Sequence, residues 1–459
     1  MDQEQSWITT KMVGEDDNAA ATNYEYFMRP EPRDNLGPIK TVYDKVLKRK
    51  IKVREIKIGM TRNASEENRK TVLAYLEPYP HMRIDKAKPL QGWYKNKHEP
   101  KGVRPRPCFT EAILTEPYGG WCAVGCAFCY VNSGFRGYRG TGLITVPNNY
   151  GEQIRKQLRP VRRGAAVYFS SFTDPFLPLE ELYHNSEEAA EACVEVGLPI
   201  FFLSRLRYPS WAIRLLRKNK HSYAQKSINT CSSSDWRKLS PGALPLADHF
   251  KDIRRLKKND IYVSIQVNPI IPGVTTHGHV KSLFRKLANA GADHVIVKFV
   301  EAGYSWAPAM VDRITKRFGP ERGGAFESLF QENIGGQRTV NEAYRMAAHD
   351  KYIRWASDYG LTYSVCYEYR YERNESGKIV DKTGVSIGRE YTTSDQCHGH
   401  RVPVYTRSSS EEKFKPLSVC PPSGCLYCVD DNGEPPCGDE LAGTAIAIKP
   451  KHLKIPMGG

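Results

Sequence analysis

Three cysteines fall within eight residues, Cys122, Cys126 and Cys129 in the run WCAVGCAFCY, and no other feature of the chain restricts its fold and chemistry as tightly. Thiolates at x3 then x2 spacing can wrap one corner of a cubane iron–sulfur cluster, and three of them leave the fourth iron without a protein ligand. An iron left open in this way is a place where chemistry can occur. Gly119, Gly120 and Gly125 in the same stretch suit a loop built to fold around a bound group. Two other readings stay open at this point. A structural zinc site needs a fourth ligand, which Cys108 could supply, and a disulfide or plain buried cysteines need no metal.

The motif also has an aromatic on each side of its third cysteine, Phe128 and Tyr130. In this form it resembles the signature of the radical S-adenosylmethionine (SAM) superfamily. The resemblance implies a [4Fe-4S] cluster on the three thiolates, SAM chelated by the open iron, and a one-electron reductant of flavodoxin or ferredoxin type. In that superfamily the electron cleaves SAM to methionine and a 5'-deoxyadenosyl radical. Phe128 is then expected near the adenine, with Tyr130 beside it in the cofactor site.

From Phe109 onward, short apolar runs alternate with helical periods. Strands are predicted at 109–116, 165–170, 199–204, 261–270, 294–301 and 361–368, with helices through SEEAAEACVEV, WAIRLLRK and VKSLFRKLANAG and around 339–359. Such alternation gives an α/β fold with parallel strands, here a partial (β/α)6 barrel spanning about residues 106–370. The cysteine loop follows the first strand, which puts it at the C-terminal mouth where barrel chemistry collects. Residues 1–105 read as a basic, polar N-terminal extension and 371–459 as a Cys-rich C-terminal one.

The loop after the second strand, Ser170-Ser171-Phe172-Thr173-Asp174-Pro175, offers three hydroxyls and a carboxylate. Such a set can hold an ammonium group, or it can cap a turn before the proline. Its TDPFLPLE run and the later VSIQVNPIIPGVT resemble the spore-photoproduct-lyase-like branch of the superfamily, over residues 108–300 and onward toward 370. By that likeness Ser170, Ser171, Thr173 and Asp174 hold the methionine end of SAM, and the stretch from Asn268 to Gly273 lies beside the adenosine. The branch's lyase uses a cysteine soon after the cluster motif as hydrogen-atom donor, and Val167 to Pro175 contains none. A different rearrangement of a thymine-derived base in DNA, of isomerase or lyase type, is therefore expected, as in viral DNA hypermodification. A group on the base 5-methyl carbon would be reconnected from nitrogen to carbon.

Charge points the same way. The chain carries 67 Lys and Arg against 51 Asp and Glu, a net +16, which favours a polyanionic partner. Eight of the cations lie between Lys40 and Lys57 against two acids, either a phosphate-contacting arm or a solvated helix or strand face. Lys251, Arg254, Arg255, Lys257 and Lys258 form a second basic stretch. With no apolar run long enough to span a membrane, and an acidic, polar start unlike a signal peptide, a cytoplasmic protein is expected, in the host cytoplasm if viral.

The tail holds Cys420, Cys425, Cys428 and Cys437, with Cys397, His398 and His400 upstream. Four thiolates can close a zinc site or a second iron–sulfur cluster. The x4, x2, x8 spacing departs from the peptide-modifying extensions of the superfamily, so a radical peptide maturase is the second enzyme reading. A nucleic-acid-binding protein stabilised by zinc is the reading outside enzymology.

Overall fold

The computed structural model describes residues 36–59, 69–93, 112–129 and 143–416, apart from residues 162, 305, 389, 395, 404 and 408. Its main sheet has eight strands: β1 (Gln91–Trp93), β2 (Ala112–Thr115), β3 (Ala166–Phe169), β4 (Ile200–Ser204), β5 (Tyr223–Ser227), β6 (Tyr262–Ile270), β7 (His294–Phe299) and β8 (Thr362–Val365). They lie in strict chain order. Strands β2 to β8 pair parallel, and β1 closes the edge antiparallel to β2.

The α/β class and the parallel sheet agree with expectation. Sequential order means that every crossover winds the same way. Among the described residues no ladder joins β8 to β1, so the sheet is open. It has seven parallel strands where the sequence predicts six. The extra strand is β5, YAQKS, whose polar letters conceal it although all five residues are buried. Lys226 is buried there because its Nζ meets Asp252 Oδ2 at 2.7 Å.

The returning helices follow the apolar spacing. In His277–Ala290 the buried Val280, Leu283, Phe284 and Leu287 repeat at three- and four-residue steps and form one stripe. Thr276 caps its start, accepting from the His279 N–H at 3.2 Å, and Gly291 at φ 91° ends it in the left-handed region. Such helices cover one face of the sheet, burying Val167, Phe202, Val263, Ile265 and Val295. On the other face Tyr168, Phe201 and Tyr223 stack in series, their centroids 4.6 and 4.5 Å apart.

Part of the segment read as a polar extension is a sheet. Strands Leu36–Asp44, Arg49–Gly59, Arg69–Tyr75 and His81–Ile84 run antiparallel. The last then pairs parallel with Ile144–Pro147, which pairs with Gly119–Gly120 at the start of the cysteine loop. Ile51 and Val53 point inward on either side of exposed Lys52, the period-2 pattern of a half-buried strand. No described helix is long and apolar enough to cross a membrane.

Candidate active site

Strand β2 delivers the chain to the C-terminal edge of the sheet at Thr115 and Glu116. Tyr150 fixes this end, with its hydroxyl 2.5 Å from Thr115 Oγ1 and 3.0 Å from the Glu116 N–H. The buried Glu116 carboxylate then accepts from Ser170 Oγ at 2.5 Å, Ser171 Oγ at 2.6 Å and the Ser171 N–H at 2.8 Å. Burial raises its pKa, and the serine hydrogen bonds oppose the rise. Glu116 thus ties the loop after β3 to the strand that precedes the cysteines. The hydroxyls of Ser170 and Ser171, expected from the sequence to meet a ligand, are engaged by Glu116 in this structure.

The rest of that loop turns toward β4. Thr173 Oγ1 donates to the Tyr118 carbonyl at 3.0 Å. Asp174, also buried, accepts from Ser204 Oγ at 2.8 Å and from the Arg205 N–H at 2.7 Å. Burial pushes its pKa up against these bonds.

The cysteine loop is built from two tight turns, with N–H to carbonyl bonds of 3.2 Å from Gly125 to Cys122 and from Cys129 to Cys126. Gly125 sits at φ 62°, in the left-handed region where a side chain is strained. The loop docks on the segment after the short helix Ser233–Leu239. The Ala127 N–H donates to Leu239 O at 2.8 Å, and Arg313 Nη1 donates to Ala127 O at 2.7 Å. At Gly242 a Cβ would stand 2.1 Å from Ala123 O, so only glycine permits this approach.

Arg205, the first residue after β4, gathers the parts. Its guanidinium lies 5.0 Å from the Phe128 ring and 5.2 Å from that of Trp236. Nη2 donates to Asn268 O at 3.1 Å, and Nη1 donates to Ser240 Oγ at 3.4 Å. Ser240 Oγ in turn donates to Cys126 Sγ at 3.3 Å. Asn268 Nδ2 contacts Gln266 Oε1 at 3.5 Å, and Gln266 Nε2 donates to Gln225 Oε1 at 2.9 Å, which carries polar side chains from β6 to β5. The structure therefore brings Cys126, Phe128, Asp174 and Asn268 together around one arginine. Neither Arg205 nor Glu116 was singled out from the sequence; their one signal there is position, each standing at the end of an apolar strand at the reactive mouth.

Cys122, Cys126 and Cys129 are half-buried, each on the one short loop that follows β2. Burial, then the nearby Asp174 charge, hold the Cys122 thiol well above its ordinary range, so a thiolate there calls for a bound cation. Trp121 Nε1 is buried beside Cys122 and Cys126 without a hydrogen-bond partner. Three soft donors in one glycine-turned loop, an orphaned N–H and a hydroxyl donating to sulfur suit an iron–sulfur group. Among the described residues no set of three or more Cys, His, Asp or Glu side chains already converges as a metal cage.

Other sequence expectations lie elsewhere. Tyr130, Cys108 and the tail set Cys420, Cys425, Cys428 and Cys437 are outside the described residues. His398 meets the Tyr223 hydroxyl at 2.6 Å, and Cys397 O accepts from Ser364 Oγ at 2.6 Å. Tyr223 begins β5, so this turn covers the opposite end of the sheet from the cysteine loop. The second basic stretch is largely paired within the chain: Lys251 with Asp248, Arg255 with Asp252 and Lys257 with Asp293.

No family model matches the chain. A viral protein of Acidianus two-tailed virus, uncharacterized protein ORF301, is 27% identical over 190 residues, covering 38% of this chain and 62% of its own. Among solved structures, a cysteine-to-serine mutant of spore photoproduct lyase aligns with TM-score 0.44 at 16% identity, covering 62% of this chain and 81% of that one. A protein of Pseudomonas phage M6, the radical SAM Nalpha-GlyT isomerase, is 57% identical over 446 residues, 95% of this chain and 92% of its own. Identity of that extent sets aside the zinc-only binding protein, and the chain is an enzyme of the radical SAM superfamily, in one family with the phage isomerase.

Proposed function

We propose that the enzyme holds a [4Fe-4S] cluster on Cys122, Cys126 and Cys129 and isomerises a thymine-derived base in DNA. The substrate we assign is thymine carrying glycine through its nitrogen, as the name of the phage relative suggests. When bound, the cluster and SAM supply one-electron cleavage of SAM and hence a 5'-deoxyadenosyl radical, with the electron coming from a flavodoxin- or ferredoxin-type partner. The rearrangement itself needs no net oxidant. One C–H and one C–N bond break, one C–C and one N–H bond form, and the atoms of substrate and product balance.

The chain's residues bind and orient. Arg205, stacked on Phe128 and bonded to Asn268 O, sets the adenosine side of the site, and Ser240 supports Cys126. Ser170, Ser171, Thr173 and Asp174 shape the methionine side, with Glu116 fixing the loop on which they stand. Tyr130 belongs to the same cofactor site by its place in the motif. The tail cysteines Cys420, Cys425, Cys428 and Cys437 form a second metal site, zinc or iron–sulfur.

The single observation that carries the reading is the convergence of Cys126, Phe128, Asp174 and Asn268 on Arg205 at the mouth of the parallel sheet. Net charge of +16 supports a nucleic-acid substrate over a peptide. The test is to incubate anaerobically reduced enzyme and SAM with DNA containing glycine-substituted thymine, then digest to nucleosides for mass spectrometry. An isomeric nucleoside of unchanged mass and shifted retention is expected; recovery of the starting nucleoside alone overturns the reading.

A further inference from the structure

The hairpin formed by Leu36–Asp44 and Arg49–Gly59 has an unusual tip. The turn Lys45-Val46-Leu47-Lys48 leaves Val46 60% exposed, and Tyr43, the next outward-facing residue, is 61% exposed. These are the two most exposed large apolar side chains among the described residues. Around them Lys40, Lys45, Lys48, Arg49, Lys50 and Lys52 are all exposed, and Tyr43 stands directly across from Lys50 in the ladder. The first strand of the hairpin is also the edge of its six-stranded sheet. Lysines alone on an edge strand would be explained as protection against strand pairing. Protection does not explain a valine and a tyrosine held out into water among them.

The tip is also held firmly. Asp44 Oδ1 accepts from the Val46 and Leu47 N–H groups, both at 2.8 Å, and Lys48 takes the left-handed conformation at φ 51°. Asp44 Oδ2 accepts from Arg83 Nη1 at 2.9 Å, and Arg83 Nε donates to Asn148 Oδ1, also at 2.9 Å. Arg83 lies on the strand paired with Ile144–Pro147, whose other partner is Gly119–Gly120 at the entrance of the cysteine loop. A continuous sheet therefore joins the tip to the site.

We infer that this hairpin grips the phosphates of double-stranded DNA through Lys45, Lys48, Arg49 and Lys50 and presses Val46 and Tyr43 into the base stack, extruding the base that the enzyme modifies. The inference rests on the reading that the substrate is a base in DNA. A base inside a duplex must leave the stack to reach an enclosed site. Apolar wedges at a cationic surface lower the cost of that step, because unstacking is offset by new apolar and phosphate contacts. Tyr43 adds a ring on which a neighbouring base can stack.

The test compares full-length reconstituted enzyme with the variants Val46→Asp with Tyr43→Ala, and Lys45→Ala with Lys48→Ala and Arg49→Ala. Each is assayed on substituted DNA in duplex and single-stranded form, with 2-aminopurine beside the target reporting unstacking. The wedge variant is expected to lose the 2-aminopurine rise and more than about tenfold of duplex turnover, with single-strand turnover within about twofold. The triple charge variant should flatten the slope of log affinity against log salt by up to about 2.7, three phosphates' worth. Unchanged duplex turnover and salt slope overturn the inference, as does equal loss on both strand forms, which would mark a folding role. If wild-type enzyme yields no altered nucleoside from either form while 2-aminopurine unstacking still depends on the hairpin, the assigned reaction fails and the hairpin's role stands.

Discussion

Arg205 and Phe128 meet between two loops that the chain reaches 77 residues apart, the guanidinium carbon 5.0 Å from the ring centroid. The same arginine is bonded to Asn268 O and, through Ser240, is linked to Cys126. A planar cation both stacks and forks its hydrogen bonds here, which an ammonium cannot reproduce. Arg205→Lys and Arg205→Met should each raise the SAM concentration needed for half-maximal 5'-deoxyadenosine formation by about tenfold or more, equivalent to the loss of one stacked, bonded cation. Retention of wild-type SAM dependence in Arg205→Lys would show that charge alone suffices.

Glu116 acts as a positioning residue, since its carboxylate accepts from Ser170 and Ser171 and so fixes the loop after β3. Glu116→Ala removes the acceptor of the shortest hydrogen bond of the buried Ser170 hydroxyl and of the half-buried Ser171 hydroxyl and N–H, and should cost about 1–3 kcal/mol in all. Glu116→Gln keeps one acceptor and should recover part of the melting temperature while SAM binding stays weakened. Equal SAM affinity in wild type and Glu116→Gln would remove the link between this carboxylate and the cofactor loop.

Arg345 and Glu368 form a buried pair at 2.6 Å between the long helix Glu342–Asp358 and the residues after β8. Burial opposes the carboxylate charge, but Arg345 overcomes it and holds Glu368 at about 2. Arg345→Met strands that charge and should cost about 3–5 kcal/mol in chemical denaturation. Replacing both partners, as Arg345→Met with Glu368→Leu, should restore much of the loss; a double variant as unstable as the single one would contradict the pairwise account.

Acid should unfold the protein through its buried imidazoles. Burial holds His81 and His398 neutral, with pKa lowered to about 4 in each. His81 bonds Tyr79 O and the Tyr183 hydroxyl, both at 2.7 Å. A pKa below the unfolded value means that the unfolded chain takes up the proton first. The stabilisation is therefore present above pH 6.5 and is lost as pH falls toward 4, on the order of 3 kcal/mol for each group at the acid limit. Melting temperature against pH should drop through that window, and less steeply in His81→Gln; identical curves would exclude His81 as a contributor.

Much of this arrangement is legible in the sequence, and the reason is local. The cysteine loop declares itself by spacing, and the strands at 199–204, 261–270 and 294–301 by apolar runs. What escapes notice depends on partners far away in the chain. Strand β5 is polar by letter, and Lys226 is buried only because Asp252 waits on a helix. Arg205 and Glu116 look like ordinary strand-end charges until Phe128, Asn268 and the two serines arrive from other loops. The N-terminal strands are hidden by their lysines, which dominate the composition while Ile51, Val53 and Ile56 supply the buried face.

The central claim is that Cys122, Cys126 and Cys129 together create the site where SAM is cleaved. Iron content and 5'-deoxyadenosine formation, measured with dithionite and SAM after anaerobic reconstitution, test it most directly on the wild type and on the triple variant Cys122→Ala, Cys126→Ala, Cys129→Ala. The wild type should be brown and form 5'-deoxyadenosine, and the triple variant should form none even if iron remains on the tail cysteines. Formation of 5'-deoxyadenosine by the triple variant at a wild-type rate would contradict the account.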